Sequence, residues 1–148
     1  MSLFKWTALL LILGAPIGCI LGDPSDIYTR AEAVEVGDCD GISIDFAEDV
    51  LPILEGNCTP CHAGDFPTSG LLLETIEAYD NVVNVPSLAG GGKVYVAESD
   101  PDGSYLLDRI LGANGTTIMP PGSDGISAED ATVIQCWIEA GAPAPASE

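Results

Sequence analysis

Apolar residues recur at helical spacing in three stretches of this chain. Phe46, Val50, Leu51 and Leu54 form the first stripe, with Asp45 as its N-cap and Glu48 three residues on as the partner of a capping box. Pro52 interrupts that stripe and predicts a kink or a restart of the helix one turn later. Asp100 followed by Pro101 opens a second helix, whose Tyr105, Leu106, Ile110 and Leu111 face the core until Gly112 stops it. The third is the best marked. Ser127 caps it with Asp130 at the matching position, Val133, Ile134, Trp137 and Ile138 make one face, and Gly141 with Pro143 ends it. A further helix is expected from Thr75 to about Val83. Lys93-Val94-Tyr95-Val96 alternates polar and apolar and reads as a short strand, after a Gly- and Pro-containing loop from Asn84 to Gly92. The expected class is all-α, with three to four core helices and room for one short strand pair. The terminal helix is expected to cross the first and close the core.

The two ends read differently. One positive charge, Lys5, precedes an apolar run from Trp6 to Leu13, then Gly14-Ala15-Pro16-Ile17-Gly18-Cys19. That run is too short for a membrane span and is broken by Gly14, Pro16 and Gly18, so residues 1–18 read as an export signal. Cys19 after a small residue fits a lipoprotein-type cleavage site, which would make it the lipidated residue; ordinary signal cleavage nearby and an uncleaved anchor are the alternatives. Residues 19–38 are polar and acidic, a tether for a domain at 39–142. Residues 143–148 are expected to fray. The expected location is the periplasm, either free or as a lipid-anchored protein facing the cell exterior.

Candidate chemistry centres on Cys58-Thr59-Pro60-Cys61-His62. C-x-x-C-H is the attachment sequence of c-type haem: two thiols on one side of a helical turn reach the two vinyl groups, and the following imidazole ligates the iron. The spacing also suits a dithiol redox pair, two zinc ligands or a structural disulfide. A zinc site needs further ligands, but His62 is the only histidine. A thioredoxin-like pair expects a βαβ setting that the pattern lacks.

Met119, in Thr117-Ile118-Met119-Pro120-Pro121, is the only methionine besides Met1. It sits beside prolines that stiffen its loop, rather than in an apolar helical stripe, and is the candidate distal ligand opposite His62. Lys93, a tyrosine or an open water site are the alternatives. Arg109 reads either as a partner for a haem propionate or as a solvated surface arginine.

With these motifs in place the chain resembles the single-haem domain called planctomycete-type cytochrome c. The matching residues are Val50-Leu51-Pro52-Ile53-Leu54, the haem motif, Ser69-Gly70-Leu71-Leu72-Leu73, Asp100-Pro101 with Ser104-Tyr105-Leu106-Leu107, Ile118-Met119-Pro120-Pro121, and Trp137-Ile138-Glu139-Ala140-Gly141-Ala142. They span about residues 40 to 142. The resemblance implies a small class-I-like cytochrome c fold around one covalent haem c, and electron transfer. It also implies thioethers at Cys58 and Cys61, proximal ligation by His62 and distal ligation by Met119.

Cysteine count and charge extend the picture. With Cys19 in the signal region and two cysteines for haem, Cys39 and Cys136 remain; they can meet in a disulfide if the first and last helices cross, and an exported setting permits one. Twenty-three acidic residues face four basic ones, giving a net charge of −19, and loss of the signal removes Lys5 and no acid. Nucleic acid and anionic membrane surfaces are therefore poor partners. A redox protein with a basic docking surface is the natural complement, and a membrane is met only through the lipid anchor. The expected function is one-electron transfer without substrate turnover. A ligand sensor or peroxidase-like enzyme with an open distal site, a haem-free dithiol oxidoreductase, and a haem subunit of a larger redox complex are the alternatives.

Overall fold

Asp45 caps the first helical turn among the described residues. In the computed structural model, which describes residues 36–146, its carboxylate accepts the N–H groups of Ala47 at 2.8 Å and Glu48 at 3.0 Å. The reciprocal contact differs from the expected capping box: Asp49, not Glu48, accepts the Asp45 N–H, at 2.8 Å. The reason is the wider turn that follows. Phe46–Val50 is π-helical, with the Leu51 N–H reaching back to the Phe46 carbonyl, so the returning side chain lies one residue later. The α-helix α1 (Leu51–Asn57) continues from this turn, with Pro52 as its second residue. The widened turn is how the chain accommodates the proline.

Three more α-helices follow: α2 (Ala78–Val82), α3 (Tyr105–Leu111) and α4 (Ala128–Glu139), with a 3₁₀ turn at Thr68–Gly70 before α2. Helix α2 is shorter than the expected 75–83 span. Thr75 has a φ of 61° and its hydroxyl bonds to Glu77, so residues 75–77 form a turn ahead of the helix. Helix α3 likewise starts at Tyr105 rather than after Asp100. Asp100 instead closes a turn by accepting the Gly103 N–H at 2.9 Å, and the residue preceding the helix is the fully buried Ser104, whose hydroxyl donates to the Asp100 carbonyl at 2.8 Å. Gly112 ends α3 in the left-handed region, and Ser127 caps α4 by accepting the Asp130 N–H at 3.0 Å.

Among the described residues there is no strand, which corrects the expected strand at Lys93–Val96. Val94 and Val96 make isolated bridges to Val83, Pro86 and Ser104, some parallel and some antiparallel. Asn84 at a φ of 57° and Pro86, which has no N–H, break the facing segment before a ladder can form.

Helix α4 packs against both the π-helical turn and α3. The core between them holds Phe46, Val50, Leu54, Val82, Ile134, Trp137 and Ile138, all fully buried. Phe46 lies with its ring centroid 5.4 Å from Tyr79 and 5.2 Å from Trp137. The tail is held further than expected. Ala142 is fully buried and its carbonyl accepts the Tyr79 hydroxyl at 3.0 Å; the Pro143 carbonyl accepts the Trp137 indole N–H at 3.1 Å. A buried indole needs an acceptor, and that need pins the chain past α4. Cys39 and Cys136 are joined, with a Cα–Cα distance of 5.2 Å across a sequence separation of 97. No helix among the described residues is long and apolar enough to cross a membrane. The export segment 1–18, Cys19 and most of the 19–38 tether lie outside the described residues.

Candidate haem site

The end of α1 delivers the cysteine motif. Cys58 caps the helix with its N–H on the Leu54 carbonyl at 2.8 Å, and the chain then turns tightly, with the N–H groups of Cys61 and His62 both returning to the Cys58 carbonyl at 3.1 and 2.9 Å. This compact turn gathers Cys58, Cys61 and His62. The segment before α2 then wraps the histidine. The Leu73 N–H donates to the His62 carbonyl at 2.8 Å, and His62 Nδ1 lies 3.2 Å from the Leu71 carbonyl oxygen. A carbonyl oxygen only accepts, so Nδ1 is the donor there, and Nε2 is the ring nitrogen left for a ligand. A ring nitrogen held on a backbone carbonyl is the arrangement that orients metal-ligating histidines.

Helix α3 supplies the opposing material. Tyr105, Leu106, Arg109 and Ile110 fall on one helical face and line a cavity of about 470 Å³. Cys58, Cys61 and His62 line the same cavity, and so does Met119. Met119 arrives by the loop after α3, where its N–H donates to the Arg109 carbonyl at 2.7 Å. The residue before it, Ile118, packs over Gly125, where an added Cβ would lie 2.7 Å from the isoleucine Cδ1. The volume falls within the roughly 300–1,000 Å³ of small-molecule and cofactor pockets. Its lining is mainly apolar, with Leu71, Leu73, Leu106, Ile110 and Ile126 joined by Tyr95 and Tyr105. These residues fit a c-type haem: two thiols, an oriented imidazole, a thioether and apolar walls.

The rival readings of the motif fare differently. Burial pushes the Cys58 thiol up to about 11, the opposite of the lowered value a reactive dithiol needs. Among the described residues no three His, Cys, Asp or Glu side chains converge as a metal cluster. Lys93, an alternative distal ligand by sequence, is committed elsewhere: its ammonium lies 2.7 Å from Asp108 Oδ2, and it does not line the cavity. Arg109 lines the cavity and is half-buried, so the solvated surface reading is replaced by a cavity one.

Two features of the site had little signal in the sequence. Tyr95 reaches the wall through a segment read as a strand. Asp108, a charge in the middle of an apolar helix, is buried beside the Met119 loop, and only its position between Leu107 and Ile110 hinted at that.

No family model and no curated protein matches the chain. Among solved structures it is similar to Kuenenia stuttgartiensis hydrazine synthase, at 24% identity and a TM-score of 0.47, over 68% of this chain and 16% of that one. This chain thus corresponds to a small part of that protein, and the likeness is too slight to carry a fold or a function across.

Proposed function

We propose that this chain is a monohaem c-type cytochrome with a class-I-like fold, working as a one-electron carrier. One observation carries the reading: Cys58, Cys61, His62 and Met119, brought from two distant segments, line a single apolar cavity. A bound haem c supplies a one-electron iron couple. Cys58 and Cys61 would hold the group covalently. His62 presents Nε2 because Leu71 fixes its Nδ1–H, and Met119 presents a thioether because Arg109 and Ile118 hold its loop. The leucines and isoleucines of the wall exclude water, which together with Met ligation favours the reduced state. Arg109 is positioned to meet an acidic group at the cavity.

With His62 and Met119 both committed to the haem iron, the protein would carry electrons rather than activate a substrate. Export and a lipid at Cys19 remain part of this proposal, as does a partner with a basic face to match the net charge of −19. The test is the mass of the purified protein after expression with a haem-maturation system and acid denaturation. Retention of one haem through two thioethers is expected; a haem-free chain with two titratable thiols at Cys58 and Cys61 would overturn the proposal.

A further inference from the structure

Asp108 is the one acidic residue among the buried side chains of the described residues. Both its oxygens are engaged. Oδ2 takes the Lys93 ammonium at 2.7 Å, and Oδ1 accepts the Asn114 side-chain amide at 2.7 Å. Its main-chain carbonyl accepts the Ala113 N–H at 2.9 Å and the Thr116 hydroxyl at 2.8 Å. The next residue, Arg109, takes the Met119 N–H. The loop that carries Met119 therefore hangs from two consecutive residues of α3, its first half on Asp108 and its end on Arg109.

The same carboxylate reaches a second loop. Lys93 closes the Ser87–Gly92 segment, through the Ser87 N–H on its own carbonyl at 3.0 Å, and Ser87, Leu88 and Ala89 line the cavity. Lys93 also donates to the Asp102 carbonyl, so its position is set from two sides. One buried charge thus ties together the methionine loop and the glycine-rich loop. A buried carboxylate with each oxygen paired stays in place only while its partners do, because either loss leaves an uncompensated charge or donor.

We infer that Asp108, acting through Lys93 and Asn114, is the positioning residue that keeps the Met119 loop closed over the cavity and so denies the distal position to outside ligands. The inference rests on the ligation by Met119 proposed above. Its test uses the haem-loaded protein and imidazole as the competing ligand, with the far-red thioether–iron band and the unfolding midpoint recorded alongside.

Asp108→Asn is expected to raise the imidazole affinity of the oxidised protein by about tenfold or more, in the range of couplings within one hydrogen-bond network, and to weaken the band at a temperature where the protein remains folded. Asn114→Gly removes one bond at an exposed position whose φ of 51° glycine accepts, and is expected to do the same to a smaller extent even if Asp108→Asn does not fold. Tyr79→Phe, which removes a hydrogen bond to Ala142 remote from the cavity lining, is the stability control and should leave the imidazole affinity unchanged.

A wild-type protein with the band, whose imidazole affinity moves in neither the Asp108 nor the Asn114 variant, would overturn the positioning role and leave Met119 as ligand. Equal gains in Tyr79→Phe would also overturn it, by showing that general loosening is enough. A wild-type protein without the band would overturn both readings.

Discussion

His62 Nδ1 lies 3.2 Å from the carbonyl oxygen of Leu71, nine residues further along the chain. That contact fixes which ring nitrogen is free, and it ties the imidazole to the segment that also walls the cavity through Leu71 and Leu73. Under the proposed function, that orientation makes Nε2 the proximal ligand. His62→Ala is expected to lower the yield of covalent haem and to convert what forms from low-spin to high-spin, read in the optical spectrum. A low-spin spectrum of ordinary yield would place the proximal ligand elsewhere.

Met119→Leu keeps side-chain volume, so its effect on stability should stay under about 1.5 kcal/mol. Its effect on the redox couple should be much larger, because the thioether is lost. The reduction potential is expected to fall by on the order of 0.1 V, a fraction of the roughly 0.8 V that axial ligands span. Voltammetry checks this, and an unchanged potential would remove Met119 from the iron.

Cys39 and Cys136 close a long loop and fasten the start of the domain to α4. In the chain-entropy account a loop of this length contributes about 4–5 kcal/mol, with native strain and residual unfolded structure reducing it. Cys39→Ser with Cys136→Ser should therefore lower the unfolding free energy by several kcal/mol, read as a lower denaturant midpoint, while the optical spectrum stays the same. A midpoint equal to wild type would show that the bridge adds nothing to stability.

Tyr79 introduces a pH dependence. Burial raises its pKa above the ordinary value of 10.0, and Glu98 and Asp80 raise it further by repulsion. A group whose folded pKa lies above its unfolded one holds its proton longer in the native state, so stability is complete below pH 10.0 and falls as pH climbs towards the folded pKa. Tyr79→Phe should flatten this alkaline decline while costing about 1 kcal/mol at neutral pH through the lost bond to Ala142. Chemical denaturation at several alkaline pH values measures both effects, and parallel declines in the two proteins would dismiss Tyr79 as the cause.

What could be read from the chain alone was whatever depends on local chemistry. Ser127 and Asp130 announce an N-terminus because a hydroxyl and a backbone N–H three residues on meet in any helix. Cys58, Cys61 and His62 stand out as a candidate haem motif because the spacing itself is the chemical signal. Elements set by their surroundings were harder to read. Helix α2 loses its first turn to a left-handed Thr75, and Lys93–Val96 stays out of a ladder because its neighbours at Asn84 and Pro86 cannot pair. Glu48 was the natural capping partner only for an ordinary helical turn, and Pro52 replaces that turn with a wider one. Lys93 illustrates the limit for the site. As a sequence position it was a spare ligand, and only the fold shows it spent on Asp108.

The proposed function has His62 and Met119 both ligating the iron of one covalent haem. Carbon monoxide added to the reduced, purified protein tests it most directly, with optical spectra recorded before and after, and in the oxidised state. The account predicts a low-spin covalent haem, a weak far-red thioether band when oxidised, and a reduced spectrum that carbon monoxide leaves unchanged. Ready carbon monoxide binding with no far-red band would contradict it, and would make the cavity an open ligand site in place of an electron carrier's closed one.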